Sequence, residues 1–297
     1  MSAKKIDADF TPAIRQLEIN SRNSVSSDLI GNYRSSFKGR GLEFEGYRAY
    51  TPDDDASRID WLASMRANTT VVKEYMEERN LEVFFLQDAC SAMVFGSQKK
   101  LKNEYAAEVT ASLAYAILQS GDKVGMGMFS DKVSARVPIS SGLSQYHLIM
   151  NNLANPANYG GKCSLSEGLK VASTYLRRGT LLIIVSDFLG MGYGWRKLLG
   201  VAAKKFELIG INIRDQRDMS IPKEVGQIVL SDASSGRQVL FDAEQDSKLF
   251  EDAARRDIVE VRSTFLENGA DFLTLYTHEG FVKPVMSFFK RRRDMKR

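Results

Sequence analysis

The chain contains very few of the residues that mark secreted, membrane-spanning or metal-rich proteins. Its 297 residues include only two cysteines, Cys90 and Cys163, and only two histidines. Two cysteines exclude a framework of several disulfides, and this usage is typical of a reducing compartment, so we predict a cytoplasmic protein. No apolar run approaches the roughly 20 residues that span a bilayer. The N-terminus also lacks the apolar core of a signal peptide. We therefore predict neither a transmembrane segment nor export.

Motifs for nucleotide and nucleic-acid chemistry are also missing. No Gly-x-x-x-x-Gly-Lys-Ser/Thr loop occurs to hold nucleotide phosphates, and no Gly-x-Ser-x-Gly elbow indicates a serine hydrolase. The net charge is only +4, and part of it lies in the run 290–297. Because basic residues outside this run are not interleaved with aromatic ones on one face, we predict no nucleic-acid partner. We interpret residues 291–297 as a solvated basic tail.

Strand-like and helix-like segments alternate along most of the chain. Short apolar runs predict strands at 81–87, 123–129, 133–139, 181–186, 206–213 and 271–276. Apolar residues at near-helical spacing predict helices at 101–118, 143–153, 165–176, 195–204, 243–266 and 280–290. This alternation indicates an α/β fold with a mostly parallel central sheet and helices on both faces. A further hairpin is expected around the turn at 234–236.

The first 75 residues do not follow this alternation. Residues 1–30 are polar and helical in character, whereas 37–61 are rich in glycine, charge and aromatic side chains without a helical period. We predict an N-terminal appendage of helix and short strands at 1–75 and a main α/β domain at 76–290. The acidic run 53–55 is expected to form a turn that pairs with neighbouring arginines.

One predicted strand ends in a candidate ligand. The run 81–87 leads directly to Asp88, and a loop of small residues follows, Ala89-Cys90-Ser91-Ala92. In open α/β sheets, ligands gather beyond the carboxyl ends of the strands, so an acid at this position indicates a binding site. The strand at 181–186 leads in the same way to Asp187.

Several segments resemble the signature of one bacterial family. They are Gly39-Arg40-Gly41-Leu42-Glu43-Phe44, Tyr47-Arg48-Ala49-Tyr50-Thr51-Pro52-Asp53-Asp54-Asp55, Arg58-Ile59-Asp60-Trp61 and Ser186-Asp187-Phe188. In this order they resemble the domain-of-unknown-function family number 58, over about residues 30–290. Asp53 stands where that family usually has glycine. Residues Arg48, Arg58, Asp60 and Trp61 are expected either to tie the appendage to the main domain or to form part of a partner surface.

This resemblance implies a von Willebrand factor A-like domain that works with a MoxR-type AAA+ ATPase. In that fold, three loops build a metal-ion-dependent adhesion site: the first supplies Asp-x-Ser-x-Ser, the second a threonine and the third an aspartate. Matched by position, the corresponding residues are Asp88, Cys90 and Ala92 in the first loop, Cys163 and Ser164 in the second, and Asp187 in the third. Two cysteines and an alanine thus replace the hydroxyl groups, while both aspartates remain.

The altered site leaves several chemical states open. Mg²⁺ prefers oxygen ligands in octahedral geometry, so Asp88 and Asp187 with waters would hold it more weakly than an intact site. If positions 90 and 163 once shared an ion, their sulfurs lie within a few ångströms. That spacing allows inert buried thiols, a disulfide, or Zn²⁺ held by two thiolates and two carboxylates. We favour a degenerate site that holds no metal or other cofactor.

The function that the resemblance implies is that of a non-enzymatic adaptor or co-chaperone. It would bind the ATPase and an unknown client protein through the top of the sheet, with Ser91, Ala92 and Ser164 among the contact residues. In related domains a bound metal completes its coordination with an acidic residue of the partner. Here the same loops are expected to bind through shape and hydrogen bonds. The alternative is a redox- or zinc-responsive protein that uses Cys90 and Cys163 as a switch.

Overall fold

The structure is a computed structural model, and it describes residues 11–37, 43–76, 80–192, 194–232 and 236–295. Residues 39–42 of the signature, residues 234 and 235 of the predicted turn, and the last two residues of the chain lie outside these ranges. The strands are β1 (Glu43–Ala49), β2 (Val71–Met76), β3 (Glu82–Asp88), β4 (Lys123–Phe129), β5 (Val133–Ser140), β6 (Leu181–Ser186), β7 (Glu207–Arg214), β8 (Gln227–Ser231), β9 (Gln238–Asp242) and β10 (Asp271–Tyr276). The helices are α1 (Thr11–Ser24), α2 (Ser27–Phe37), α3 (Trp61–Ala67), α4 (Lys102–Gln119), α5 (Leu143–Ala154), α6 (Leu165–Tyr175), α7 (Trp195–Ala203), α8 (Gln216–Met219), α9 (Ala243–Glu267) and α10 (Val282–Met295).

The core of the protein is a six-stranded sheet in the order β10-β7-β6-β3-β4-β5. All neighbouring pairs are parallel except β4 and β5, which form a hairpin. Strands β3 and β6 lie at the centre, and their near-continuous apolar sequences are buried on both faces. The predicted fold class, an α/β fold with a mostly parallel sheet, is confirmed.

Helices cover both faces of the sheet. Neighbouring side chains of a strand point to opposite faces. On one face, the Thr110 hydroxyl of α4 donates a hydrogen bond to Oε1 of Gln87, at 2.7 Å. On the other face, Gly168 of α6 packs so closely that a methyl group there would lie 3.1 Å from Leu86 and 3.0 Å from Phe129. The absence of a side chain at Gly168 therefore allows α6 to approach the sheet.

The two N-terminal helices belong to the main domain, which corrects the predicted appendage at 1–75. Helix α1 packs on α4 and α5, and α2 packs on α10. The Tyr33 hydroxyl of α2 donates to Asp122 at 3.1 Å, and the Ser36 hydroxyl donates to the carbonyl oxygen of Phe289 at 2.5 Å. Leu29 and Tyr33 are part of the main hydrophobic core. Their polar sequence hid this docking, because only one side of each helix is buried.

Residues 43–76 form a small unit of their own, in which β1 and β2 pair antiparallel and α3 lies between them in the sequence. Asp60 caps α3 by accepting the backbone N–H groups of Leu62 and Ala63, and it also pairs with Lys73 at 3.1 Å. Arg48 pairs with Asp54 of the acidic turn. These ion pairs join residues of the small unit to one another. The Trp61 side chain is 66% exposed.

The basic stretch near the C-terminus continues a helix, which corrects the predicted solvated tail at 291–297 for the residues that are described. Helix α10 extends to Met295, and Arg292 is buried. Its guanidinium group donates to Asp271 at 2.6 Å, pairs with Glu207 and lies over the ring of Phe37. Among the described helices, none has both the length and the apolar composition needed to cross a bilayer.

Candidate functional site

Three loops meet beyond the carboxyl ends of β3 and β6, which are neighbours in the sheet. The first loop (89–101) follows Asp88 at the end of β3, and the third loop (187–194) follows β6 and begins with Asp187. The second loop (155–164) joins α5 to α6 and carries Cys163. Parallel strands end at the same edge of a sheet, so the two aspartates lie side by side. The structure thus brings Asp88, Cys90, Cys163 and Asp187 to one edge.

A disulfide joins the first two loops. Sγ of Cys90 and Sγ of Cys163 are 2.10 Å apart, and no cysteine of the chain is free. Two backbone hydrogen bonds run beside the disulfide: Ser91 N–H donates to the Gly161 carbonyl at 3.0 Å, and Gly160 N–H donates to the Ala89 carbonyl at 2.7 Å. The sequence had left open whether the cysteines are thiols, a disulfide or metal ligands. In the structure they form a covalent link across the site.

Glycine makes the close approach of the second loop possible. Gly161 has φ of +84°, a backbone conformation that residues with side chains rarely adopt. A Cβ atom at this position would also lie 2.6 Å from Oδ1 of Asp131. Gly161 therefore lets the second loop pass the β4–β5 turn without a steric clash, while its hydrogen bonds to the first loop hold Cys163 beside Cys90.

Asp88 is fully buried, and both of its carboxylate oxygens have partners. Oδ1 accepts the Cys90 N–H at 2.9 Å, and Oδ2 accepts the Ser186 hydroxyl at 2.6 Å. Burial, followed by repulsion from Asp187, raises the pKa of Asp88 to about 7, against the opposing effect of those hydrogen bonds.

Asp187 is paired with a buried lysine. Its Oδ1 accepts the Leu189 N–H at 2.9 Å, and its Oδ2 lies 2.7 Å from Nζ of Lys102. The same ammonium group is 3.0 Å from Oδ2 of Asp218. Burial alone would lower the pKa of Lys102, but the charges of Asp187 and Asp218 outweigh burial and raise it. Lys102 therefore stays charged inside the site.

The carboxylate of Asp215 fastens the first loop to the ends of the neighbouring strands. It accepts the backbone N–H of Ser97 at 3.0 Å, the Ser97 hydroxyl at 2.5 Å and the Thr277 hydroxyl at 2.9 Å. Burial would raise the pKa of Asp215, but these hydrogen bonds and one from Arg217 N–H lower it overall. Asp215 in turn donates its own N–H to Asp218 at 2.9 Å, which holds the carboxylate of Asp218 in place.

The residues of this site do not fit Mg²⁺. Positions 90 and 163 offer disulfide sulfurs and position 92 a methyl group, where Mg²⁺ requires oxygen. Asp88 and Asp187 already have hydrogen-bonding or ionic partners on every oxygen. Among the described buried polar atoms without a partner, none belongs to either aspartate or to Lys102. Donor atoms of Asp88, Cys90 and Cys163 do lie within 4.8 Å of one another, but disulfide sulfurs are not thiolate ligands.

The residues predicted to contact a partner lie at the surface of the same loops. Ser91, Ala92 and Ser164 are half-buried, and their role in binding stays a prediction. Next to them, Val94 and Phe95 are 48% and 42% exposed. The first loop therefore presents a pair of apolar side chains that the motif comparison did not single out.

The sequence analysis missed Lys102, Ser186 and Asp218. Lys102 carried a signal, because it lies three and seven positions before Tyr105 and Val109 on the apolar side of a predicted helix, where a lysine is unexpected. Ser186 was noted only as part of a motif. Asp218 lies in the four-residue helix α8, which is too short for a periodic pattern to predict.

The chain is similar to a family of unknown function and to uncharacterized mycobacterial proteins. A family model described as "Protein of unknown function DUF58" matches residues 46–262. "Uncharacterized protein Rv1480" of Mycobacterium tuberculosis strain H37Rv is 28% identical over 292 residues, covering 97% of this chain and 91% of the relative. "Uncharacterized protein Mb1516" of Mycobacterium bovis matches to the same extent, with 28% identity over 292 residues.

Solved structures resemble the chain more loosely. The conserved hypothetical protein BatB of Bacteroides thetaiotaomicron has a TM-score of 0.49 at 14% identity, covering 72% of this chain and all of that one. A von Willebrand factor type A structure from Catenulispora acidiphila has a TM-score of 0.37 at 11% identity, covering 76% of this chain and 43% of that one. The fold is defined by the strand order of the central sheet. The family match covers more than half of the chain, and the protein belongs to the DUF58 family.

Proposed function

We propose that this protein is a non-enzymatic adaptor in the cytoplasm. It would bind a MoxR-type AAA+ ATPase and direct the ATP-driven activity of that ATPase to a client protein. We infer the ATPase as the partner from the resemblance of the signature segments to the family. The main support for a binding role is the cluster of loops at the carboxyl edge of the sheet. A disulfide cross-links these loops, their buried charges are paired, and exposed apolar side chains border them. A rigid surface of this kind loses little conformational entropy when a partner binds.

A groove beside the first loop supports the proposed docking surface. It has a volume of about 540 Å³ and lies between α1, α4 and the second loop, with Leu17, Val94, Ala107, Leu153 and Tyr159 among its apolar walls. Isolated exposed apolar residues are normal, but apolar residues that border a groove are typical of interfaces. Oδ1 of Asn103, which lines the groove, is buried and lacks a hydrogen-bond partner among the described residues. A partner segment with an apolar side chain and a nearby N–H donor would satisfy both features.

The chemistry of the site favours binding over catalysis. A general acid or base needs a side chain that is free to exchange a proton with a substrate. Here Asp88 and Asp187 are buried and fully hydrogen-bonded, Lys102 is ion-paired, and the two sulfurs are bonded to each other. We therefore assign these groups to holding the loops in place.

A direct binding measurement with the purified ATPase tests the proposal. The Phe95→Ala variant removes the exposed ring, and we expect its dissociation constant to rise at least about tenfold, the effect of losing a central aromatic contact. Leu249→Ala is the matched control, because Leu249 is an exposed apolar residue of helix α9 that belongs neither to the three loops nor to the groove. Absence of binding by the wild-type protein, or equal losses in both variants, would contradict the proposal.

A second candidate function rests on the disulfide itself. In a redox-responsive protein, a dithiol reductant would attack Sγ of Cys163, which is 9% exposed, and release Cys90 as a thiolate. The second thiol of the reductant then displaces the mixed disulfide, so the protein gains two thiols and the reductant becomes a disulfide. The reduced pair with Asp88 would offer Zn²⁺ two thiolates and a carboxylate.

Thiol titration separates the two candidates. Trapping thiols by alkylation in growing cells, followed by mass spectrometry, measures the fraction of Cys90 and Cys163 that is bonded. A fraction that changes reversibly with oxidant, together with a change in partner binding, would favour the redox-responsive protein. A fraction that stays constant would leave the disulfide a structural link and favour the adaptor.

A further inference from the structure

We infer that Lys102 and Asp218 are built-in replacements for two external ligands of this site. Lys102 supplies the positive charge that a divalent metal ion would supply, and Asp218 supplies the carboxylate that an acidic residue of a partner would supply. The site would then be complete within one chain and independent of metal. The inference involves no partner protein, so it stands or falls separately from the proposed function.

The position of Asp187 shows why a cation is needed. It is the acid of the third loop, it is fully buried, and its charge lies close to that of Asp88. A buried carboxylate is strongly destabilising unless a positive charge or several donors compensate it. The only positive side chain within ion-pair distance of Asp187 among the described residues is Lys102, at 2.7 Å.

Lys102 is placed to act as this cation. It is the first residue of α4, directly after the first loop, and its side chain is only 2% exposed. The ammonium group contacts Asp187 and Asp218 and lies 5.4 Å from the centre of the Phe95 ring. A lysine ammonium has three donor hydrogens and no preference for octahedral oxygen ligands, so it needs none of the hydroxyl groups that positions 90, 92 and 163 have lost.

Asp218 closes the outer side of the site. Its side chain is 9% exposed, whereas Lys102 is 2% exposed and Asp187 is fully buried, so the three groups follow one another outward to the surface. The Asp215 N–H fixes the carboxylate of Asp218 from behind. An incoming acidic side chain would meet the negative charge of Asp218 before it reached the ammonium group. The arrangement therefore excludes an acidic ligand and agrees with the apolar groove as the contact surface.

Metal binding by the full-length protein distinguishes this arrangement from an ordinary buried ion pair. We would titrate Mn²⁺, detected by electron paramagnetic resonance, into the wild type, Lys102→Ala and the control Lys100→Ala. Lys100 is a partly exposed lysine that pairs with Glu108 close to the same loop. We expect no saturable binding to the wild type or the control. Lys102→Ala, which leaves two carboxylates around the vacated space, should bind one Mn²⁺ and gain several degrees of melting temperature when saturated.

Two further measurements keep the inference testable if Lys102→Ala does not fold. Lys102→Met keeps the length of the side chain without its charge, and it should bind Mn²⁺ more weakly than Lys102→Ala. A ligand that binds only the folded state raises the melting temperature. Because we expect the wild type to bind no metal, its melting temperature should differ by less than about 1 °C between Mg²⁺ and a chelator. Saturable binding to the wild type, or folded Lys102 variants that bind no Mn²⁺, would overturn the inference.

Discussion

The carboxyl edge of the central sheet and the small unit at 43–76 arrange their charges in opposite ways. At the sheet edge, Asp88, Asp187 and Lys102 are buried and every polar atom of their side chains has a partner. In the small unit, Arg48 and Lys73 form ion pairs that are partly exposed, and Trp61 faces solvent. Buried charges depend on their partners, whereas exposed pairs are screened by water and salt. We therefore expect the stability of the fold to depend more on the first region, although most of the family-signature segments lie in the second.

The largest effect is expected from Lys102→Met. The change leaves Asp187 buried without its cation, so we expect the free energy of unfolding to fall by about 3–5 kcal/mol. Urea denaturation of the two proteins at one pH measures the difference. If the free energy of unfolding falls only by the small amount expected for an exposed ion pair, the buried and exposed charges of the two regions contribute equally and the comparison fails.

Opening the disulfide should have the next largest effect. The bond joins residues 73 positions apart, and releasing such a loop lowers the free energy of unfolding by about 2–4 kcal/mol, mainly through the unfolded state. Cys90→Ser/Cys163→Ser, compared with the oxidised wild type, measures this loss. The double variant should not change further on addition of a reductant, which serves as the control.

Asp88 should make stability depend on pH. Its pKa is about 7 when folded, above its ordinary value, so the folded state holds the proton more tightly. The stabilisation is complete at low pH and is lost as the pH rises through 7. Relative to Asp88→Asn, the wild type should therefore lose roughly 2–3 kcal/mol between pH 5 and pH 8. Parallel curves for the two proteins would show that Asp88 is ionised throughout.

Arg48→Ala in the small unit should have the smallest effect. The pair with Asp54 is exposed to solvent, although the Arg48 guanidinium holds the pKa of Asp54 well below its ordinary value. Side-chain ordering and screening leave such pairs with little net contribution. The denaturation midpoint should match that of the wild type within error. A clear loss would show that this unit is more tightly coupled to the domain than its exposed surface suggests.

Much of the fold could be predicted because its patterns are local. The apolar runs of β3 and β6 and the helical period of α4 lie within single segments, so periodicity places them to within a few residues. The docking of α1 and α2 could not be predicted in this way, because their sequences are polar apart from one side. The basic residues of α10 were misinterpreted as a tail because the acceptors of Arg292 lie on β7 and β10, far away in the sequence.

The candidate site shows the same limit. Asp88 and Asp187 could be located from the strands that precede them, since the end of a parallel strand has a defined place in the sheet. The pairing of the cysteines was one of several open states, and only the approach of the second loop through Gly160-Gly161 decides it. The Lys102–Asp218 contact joins two helices by tertiary packing, and no pattern in either segment specifies the other.

The link between Cys90 and Cys163 also changes the topology of the chain. Together with the backbone it forms a closed ring that contains α4, β4, β5 and α5. Lys132 is exposed at the tip of the β4–β5 hairpin, inside this ring. A protease that cuts there would yield two polypeptides that migrate as one molecule until the sulfurs are reduced. Two of the six strands of the central sheet, β4 and β5, therefore lie in a covalently closed ring, and a single cut in that ring does not separate the pieces.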